Sequence, residues 1–283
     1  MCIRDSCNLF FMTHESQYDN MNAFLRTNGF DEIYAQENYP SEKVVNSFGV
    51  QDDFMYQYAL PILNERAGTG NPFFSVLLSI SNHPPYVIPP YFHPHSDVLE
   101  EQIVEYADWS IRQFMQAAEK QPWFDNTIFV FLGDHGKMVG TPECEMPQSY
   151  NHIPLMIYGK DIKPGVYDGF GGQVDVSPTL LGLLNISYLQ NNFGVNLLEE
   201  ERPCMFFTAD NLIGARDSVN MFIYSPDSQQ EFKYKLEEGK LHAATGTDEE
   251  AFRNLKDYCF SMLQSTESLV KEHKTLDKVS VKK

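Results

Sequence analysis

Short apolar runs alternate with amphipathic stretches along the first two-thirds of the chain. Five runs are typical of strands, and the longer ones of strands buried on both faces: residues 8–12, 31–35, 72–80, 127–132 and 153–158. Apolar residues recur at helical spacing in four stretches: 18–27, 52–66, 97–121 and 176–184. This alternation predicts an α/β fold with a largely parallel sheet and helices on both faces.

The pattern changes after Glu199. Short strand-like runs follow, at 204–208, 220–224 and 231–236, and the turn Glu237–Lys240 predicts a hairpin. An amphipathic stretch from Asp248 to about His273 predicts a terminal helix. We therefore expect one α/β domain over residues 8–200, then a small antiparallel sheet with a C-terminal helix over 201–283.

Residues 1–7 do not look like the start of a domain, because they lead directly into the first predicted strand. They resemble leaders found where a gene is cut at the end of an assembled fragment. The apolar run 72–80 is too short to cross a bilayer, and no signal peptide is visible. The sequence thus predicts a non-native leader and a fragment of a longer protein.

The net charge of -18 limits the ligands that the chain can bind. A nucleic acid requires a basic face, so we expect no nucleic-acid partner. An anionic substrate stays compatible, because a bound divalent cation reverses the local charge. The five cysteines are odd in number and show no metal-binding spacing, which indicates mainly free thiols.

The strongest chemical signal is Asp134-His135-Gly136, directly after the predicted strand 127–132. Sites in open α/β sheets form beyond the carboxyl ends of strands. A carboxylate oxygen and an imidazole nitrogen suit a divalent metal. The alternative is a polar turn in which Asp134 caps the next helix. The position after a strand favours Asp134 and His135 as metal ligands.

Further histidines stand at the ends of other predicted strands. His83 follows the run 72–80, His152 precedes the run 153–158, and His14 follows the first strand with Asp19 close behind. An imidazole at such a position could bind an anionic oxygen or act as a general acid. The alternative is a loop histidine bonded to the backbone. We expect His83, His14, His152 and Asp19 to bind substrate near the metal ligands.

Several of these segments, in this order, resemble the sulfatase-type branch of the alkaline phosphatase superfamily, and most of all the lipoteichoic acid synthase-like group. The resemblance covers roughly residues 8–200. It depends on five motifs: Ser81-Asn-His-Pro-Pro-Tyr86, Tyr106-Ala-Asp-Trp109, Thr127–Gly136, His152-Ile-Pro-Leu155 and Gly172–Leu181. It implies an alkaline phosphatase-like fold.

The resemblance implies that Asp134 and His135 bind one divalent metal, Mn²⁺ by preference, with Mg²⁺, Ca²⁺ or Zn²⁺ as alternatives. It implies a substrate-binding role for His83. The family also uses an upstream acidic ligand and a Thr, Ser or Cys nucleophile, and nothing in this chain matches them. The chain also departs from the group after His14, where Tyr18-Asp19-Asn20 stands in place of a Trp and an Arg.

In function, the resemblance implies an enzyme that cleaves or transfers a phospho- or sulfoester group, as in phosphoglycerol transferases, with a sulfuric ester hydrolase as an alternative. The substrate would be lipid-linked or a glycan. The parent protein would be anchored in the cell membrane, with this domain outside the cytoplasm. A catalytically inactive fragment or a binding domain is the alternative of another class, and we expect this chain alone to be inactive.

Overall fold

The computed structural model describes residues 6–138, 140–244, 249–272 and 274. Most of the predicted leader, residues 1–5, and the last nine residues lie outside this part of the chain. The chain divides into two compact units, which are described separately. The N-terminal unit comprises Met1–Phe129 with Gly159–Asp161, and the C-terminal unit comprises Val130–Tyr158 with Ile162–Lys283.

The N-terminal unit contains a parallel sheet with a helix on each face. In the described residues its strands lie in the order β2 (Glu32–Tyr34), β1 (Cys7–Met12), β5 (Phe73–Leu78), and β1 runs parallel to both neighbours. Alternate side chains of β1 point to opposite faces. Leu9 and Phe11 pack against α2 (Asp52–Gly68), and Phe10 and Met12 pack against Leu25 of α1 (Met21–Thr27). The predicted fold class is confirmed for this unit.

One detail of this unit differs from the prediction. The helix expected from residue 18 begins at Met21, because Asp19 and Asn20 adopt left-handed backbone conformations. Pro61 lies inside an unbroken α2. The stretch before α2 forms the antiparallel pair β3 (Val44–Asn46) and β4 (Gly49–Val50). The long helix α3 (Leu99–Ala118) confirms the prediction for residues 97–121.

The prediction that the three longest runs, 72–80, 127–132 and 153–158, form strands buried on both faces is wrong. Every residue of β5 keeps partial solvent exposure, because β5 lies at the edge of the three described strands while β1 lies at the centre. The strands β6 (Phe129–Leu132) and β7 (Leu155–Tyr158) pair with each other, and β7 alternates between half-buried and exposed residues. Within this two-stranded sheet each strand has a neighbour on one edge only, so much of its surface is exposed to solvent.

The C-terminal unit contains the predicted antiparallel sheet and terminal helix. Its described strands are β8 (Met205–Ala209), β9 (Leu212–Arg216), β10 (Asn220–Ser225), β11 (Gln230–Glu237) and β12 (Lys240–Ala243). These five strands form a meander, in which each pairs with the next along the chain. The helix α6 (Glu249–Lys271) packs Phe252, Leu255 and Cys259 against Ile213 and Phe222.

Two further helices precede this sheet. The short α4 (Gln148–Asn151) stands before β7, and α5 (Gln173–Leu183) begins three residues earlier than the pattern predicted. Pro178 lies in the second turn of α5. No helix in the described part of the chain is both long enough and apolar enough to span a membrane.

Candidate functional site

His14 and His83 follow neighbouring parallel strands of the N-terminal unit. Met12 at the end of β1 pairs with Leu78 at the end of β5, so the two strands finish level with each other. The chain continues into Thr13-His14 from one strand and into Ser79–His83 from the other. Both histidines therefore stand at the carboxyl edge of this sheet, where sites form in α/β folds.

A row of aromatic rings connects these two histidines. The ring centroid of His14 lies 4.9 Å from that of Tyr18, which lies 6.1 Å from that of Phe48. Phe48 in turn lies 4.3 Å from His83. Centroid separations of this size are typical of packed aromatic pairs. The two predicted substrate-binding histidines thus share one aromatic wall, although His14 is only 2% exposed and His83 is exposed.

The loop between β3 and β4 holds Phe48 in this row. Gly49, the first residue of β4, has φ +90°, and a Cβ there would lie 1.7 Å from the carbonyl oxygen of Thr13, so only glycine fits. The next amide, that of Val50, donates to the same oxygen at 3.2 Å. Asn46 donates from its side chain to the carbonyl of Pro85 at 3.2 Å. The hairpin therefore contacts the loops of both histidines.

Asp52 fixes the start of the loop that carries His83. Its carboxylate, 1% exposed, accepts the amides of Ile80 at 3.0 Å and of Ser81 at 3.2 Å. Burial raises the pKa of Asp52, and these amide donors act in the opposite direction. The sequence reasoning missed Asp52, because an acidic residue in the first turn of a helix is an ordinary feature. Asp19, by contrast, lies in an exposed turn with φ +46°.

In the C-terminal unit, Asp134 and His135 follow β6, as predicted. A side-chain oxygen of Asp134 accepts the amide of His135 at 2.9 Å, and the other lies 3.7 Å from His135 Nε2. Their side chains are 78% and 56% exposed. The His135 ring stacks on Tyr150 with 5.3 Å between centroids. The two proposed metal ligands are therefore adjacent and open to solvent.

Two neighbouring residues shape this turn. The amide of Gly136 donates to the carbonyl of Tyr150 at 2.8 Å, and a Cβ on Gly136 would lie 2.1 Å from the carbonyl oxygen of Ser149. Gln173 donates from its side-chain amide to the carbonyls of Gly133 and Asp134, at 3.1 and 2.8 Å. Sequence reasoning missed Gln173, which lies almost forty residues further along the chain.

Three of the histidines share one hydrogen-bond arrangement. Nδ1 of His14, of His83 and of His135 lies 3.0, 2.6 and 2.7 Å from the carbonyl oxygen of the following residue. A carbonyl only accepts, so Nδ1 must carry the proton, and in the neutral ring Nε2 then keeps its lone pair. When one ring nitrogen of a histidine binds a metal, the N–H of the other commonly donates to a carboxylate, a backbone carbonyl or water. His152 is exposed, and its backbone amide donates to Gln148.

The Asp134–His135 pair fits part of a metal site. It offers a carboxylate oxygen and an imidazole Nε2 with its tautomer fixed, which are ligands for a divalent transition metal. Such ions take four to six ligands. Within residues 6–138, 140–244, 249–272 and 274, no group of three or more His, Cys, Asp or Glu side chains is arranged to hold a metal ion. The pair therefore supplies two ligands of a larger set.

The comparison with family models identifies the domain. The model of the sulfatase family matches residues 6–186, which is more than half of the chain and includes His14, His83, Asp134, His135 and His152. The chain belongs to the sulfatase family. The predicted resemblance to this family is confirmed.

Among curated proteins, this sulfatase-family chain is 24% identical over 255 residues to lipoteichoic acid synthase 1 of Bacillus subtilis, covering 78% of the chain and 38% of that protein. It is also 24% identical over 236 residues to the lipoteichoic acid synthase of Staphylococcus aureus, covering 70% of the chain and 34% of that protein. The chain thus spans little more than a third of these relatives.

Solved structures confirm the fold. A protein of the alkaline phosphatase superfamily from Vibrio parahaemolyticus superposes with a TM-score of 0.81 at 25% identity, covering 93% of this chain and 66% of that one. The lipoteichoic acid synthase LtaP from Listeria monocytogenes superposes with a TM-score of 0.72 at 24% identity, covering 92% and 70%. The chain therefore has the alkaline phosphatase-superfamily fold.

The predicted site residues divide between the two units. His14, Asp19 and His83 belong to the N-terminal unit, and Asp134, His135 and His152 to the C-terminal unit. Convergence of the two groups in one site stays a prediction.

Proposed function

We propose that the chain is the C-terminal part of the catalytic domain of a metal-dependent enzyme that cleaves or transfers a phospho- or sulfoester group. In this proposal, residues 8–200 belong to the catalytic domain and residues 201–283 form a small subdomain. The parent protein is membrane-anchored, with this domain outside the cytoplasm and a lipid-linked or glycan substrate. Membership of the sulfatase family supports the chemistry.

The observation that carries the proposal is the shared arrangement of His14, His83 and His135, each bonded through Nδ1 to the next carbonyl. It presents Nε2 as the functional nitrogen in all three. Asp134 and His135 bind the metal in our proposal, Mn²⁺ by preference, and the nucleophile lies outside this chain. The metal, when bound, neutralises charge on the ester oxygens.

The other residues bind and orient the ester. His83, exposed beside Phe48, is placed to donate from Nε2 to an anionic oxygen once it is protonated. His14, almost fully buried next to Tyr18, contributes its imidazole to this set in our proposal. His152 and Asp19, both exposed, complete the set. The phosphorus- or sulfur-containing group of the ester is then passed to an acceptor alcohol or to water. Transfer and hydrolysis use the same residues of this chain.

Metal binding and turnover test the proposal. Mn²⁺ binding and hydrolysis of aryl phosphates and aryl sulfates are measured on this chain and on a version extended with the upstream codons of its gene. We expect the chain alone to bind Mn²⁺ weakly and to hydrolyse neither ester. The extended protein should bind Mn²⁺ tightly and hydrolyse an ester. Asp134→Ala and His83→Ala abolish turnover of the extended protein, whereas Asp168→Ala and His95→Ala, at other exposed positions, leave it unchanged.

Two results would contradict the proposal. An extended protein that binds no metal and turns over no ester would favour a binding domain instead. Tight metal binding and turnover by the chain alone would place the nucleophile within it. Thr13 and Ser16 are then the candidates, although Thr13 is completely buried and the Ser16 hydroxyl donates to Glu37 at 3.0 Å.

A further inference from the structure

The antiparallel sheet of the C-terminal unit is covered on both of its faces. Successive side chains of a strand point to opposite faces. Phe222 of β10 packs against α6, whereas its neighbours Met221 and Ile223 pack against Met146, which is 1% exposed. Met146 belongs to the segment 143–147, which runs directly into α4. This segment therefore lies on the sheet face opposite to α6.

Arg216 points to the same face as this segment. It pairs with Met221 across β9 and β10, and residues directly opposite in an antiparallel pair share a face. Its Nη1 donates to the side-chain oxygen of Gln148 at 2.5 Å, and its guanidinium carbon lies 5.6 Å from the ring centroid of Phe170. An arginine of the sheet thus holds the first residue of α4.

The charge of Arg216 carries a desolvation cost. The residue is half-buried, and burial lowers the pKa of its guanidinium, while the charge of Asp217 acts in the opposite direction. The carboxylate of Asp217 accepts the amides of Val219 and Asn220, and Arg216 donates to the backbone carbonyl of Asp217 at 3.3 Å. An apolar side chain would avoid this desolvation. The bond to Gln148, which an apolar side chain could not make, offsets part of the cost.

Gln148 connects this arginine to two of the predicted site residues. Its backbone carbonyl accepts the amide of His152 at 2.7 Å. Two residues further along α4, the ring of Tyr150 stacks on His135 with 5.3 Å between the ring centroids. The carbonyl of Tyr150 also accepts the amide of Gly136 at 2.8 Å. A shift of Gln148 would therefore displace both His152 and the ring that supports His135.

We propose that Arg216 is a positioning residue for His135 and His152. By holding Gln148 it keeps α4 on the sheet, and α4 in turn keeps the ring of Tyr150 against His135. The inference rests on the proposed function for the roles of the two histidines. It gives the antiparallel sheet, which lies outside residues 8–200, a part in the candidate site.

NMR of the chain alone tests this positioning without a metal or an ester. The ring current of Tyr150 shifts the ring protons of His135, and Tyr150→Leu measures that shift by removing it. Arg216→Met keeps the length of the side chain but cannot donate a hydrogen bond. We expect it to lose most of the ring shift and to speed hydrogen exchange of the Gly136 and His152 amides about tenfold.

Three further variants show whether Arg216 acts through Gln148. Arg253→Met, at an exposed position of α6, is the matched control and leaves the ring shift and the exchange rates unchanged. Gln148→Met has the same effect as Arg216→Met, and the two changes together have little more effect than either alone. Gln148→Glu keeps an acceptor for the guanidinium and retains the ring shift. Gln148→Met also keeps the inference testable if Arg216→Met does not fold.

Three results would overturn the inference. The first is an unchanged ring shift in both Arg216→Met and Gln148→Met. The second is a purely additive effect of the two changes, since Arg216 would then act independently of Gln148. The third is faster exchange of all protected amides of the C-terminal unit, in proportion to a lower urea-denaturation midpoint. That result would mean that Arg216 stabilises the unit as a whole and does not position the site.

Mn²⁺ binding by the extended protein separates this inference from the proposed function. We expect Arg216→Met to lower Mn²⁺ affinity by about tenfold or more, the usual effect of losing a group that orients a metal ligand. Wild-type Mn²⁺ affinity in Arg216→Met refutes the inference alone. An extended protein that binds no Mn²⁺, while the NMR changes still occur in the chain alone, refutes the proposed function alone.

Discussion

The side-chain amide of Gln173 donates to the carbonyl of Asp134 at 2.8 Å, and to that of Gly133 at 3.1 Å. Gln173 is the first residue of α5, so its side chain fastens the turn of the two proposed metal ligands to the start of a helix. The turn is otherwise exposed, and His135 is held in addition by Gly136 and Tyr150. Gln173 is therefore a positioning residue for Asp134.

We predict that Gln173→Ala loosens this turn. Loss of a group that orients a metal ligand typically lowers metal affinity about tenfold or more, and we expect this for Mn²⁺ in the extended protein. In the chain alone, the amide of His135 should exchange its hydrogen faster, as measured by NMR. Gln173→Glu is the sharper variant, because it keeps the shape but cannot donate to the carbonyls when ionised. Wild-type affinity and exchange in Gln173→Glu would contradict the positioning role.

We predict that only glycine fits well at position 136, because the Cβ of any other residue would lie 2.1 Å from the carbonyl oxygen of Ser149. We expect Gly136→Ala to lower the free energy of unfolding by about 1–3 kcal/mol, the usual cost of forcing extra atoms into a packed place. Gly165→Ala is the control, since a Cβ there meets nothing within 4 Å. It should be neutral or stabilise by up to about 1 kcal/mol. Equal urea-denaturation midpoints for the two variants would disprove the clash.

The sequence predicted the fold well where one local signal was decisive. The apolar run of β1 and the amphipathic pattern of α3 each led to an element at nearly the observed position. The Asp134-His135 turn followed β6 as expected. These signals are periodicity and position after a strand, which can be read without knowledge of distant contacts.

The features that sequence reasoning missed depend on such distant contacts. Asp52 bonds the amides of Ile80 and Ser81, and Gln173 bonds the turn at Gly133 and Asp134. Neither partner can be inferred from local pattern. The exposure of β5 also depends on its place at the edge of the described sheet, which is a property of topology rather than of composition.

A buried ion pair is predicted to stabilise the C-terminal unit. Arg202 Nε and Nη2 donate to the two oxygens of Asp175 at 2.9 and 2.5 Å, with 9% and 0% of the side chains exposed. Arg202→Met leaves Asp175 buried without this partner, and we expect a loss of about 3–5 kcal/mol in the free energy of unfolding. Lys271→Met is the matched control, because Lys271 and its partner Glu267 are 74% and 56% exposed.

Lys271→Met should change the free energy of unfolding by less than about 0.5 kcal/mol. Urea denaturation, followed by circular dichroism, measures both variants. A loss below about 1 kcal/mol in Arg202→Met would mean that the amides of Gly172 and Val195, which also donate to Asp175, satisfy its charge without the arginine.

The last prediction concerns the pH dependence of stability through Glu32. Arg66 donates two hydrogen bonds to its carboxylate at 2.9 Å, and Tyr34 donates a third, so the pKa of Glu32 is lowered chiefly by the Arg66 bonds. The folded state therefore binds a proton less readily than the unfolded state. The stabilisation is fully present above the unfolded pKa of about 4.3 and is lost as the pH falls through the lowered folded value. Since the pair is about a quarter exposed, solvent limits its contribution to roughly 1 kcal/mol or less.

Glu32→Gln should thus be less stable than wild type at about pH 7, and the difference should shrink towards about pH 3 in urea titrations. Glu65→Gln, at a 70% exposed partner of the same arginine, should show a smaller difference at both values. A Glu32→Gln deficit that stays constant across this range would show that the carboxylate contributes through shape and not through its charge.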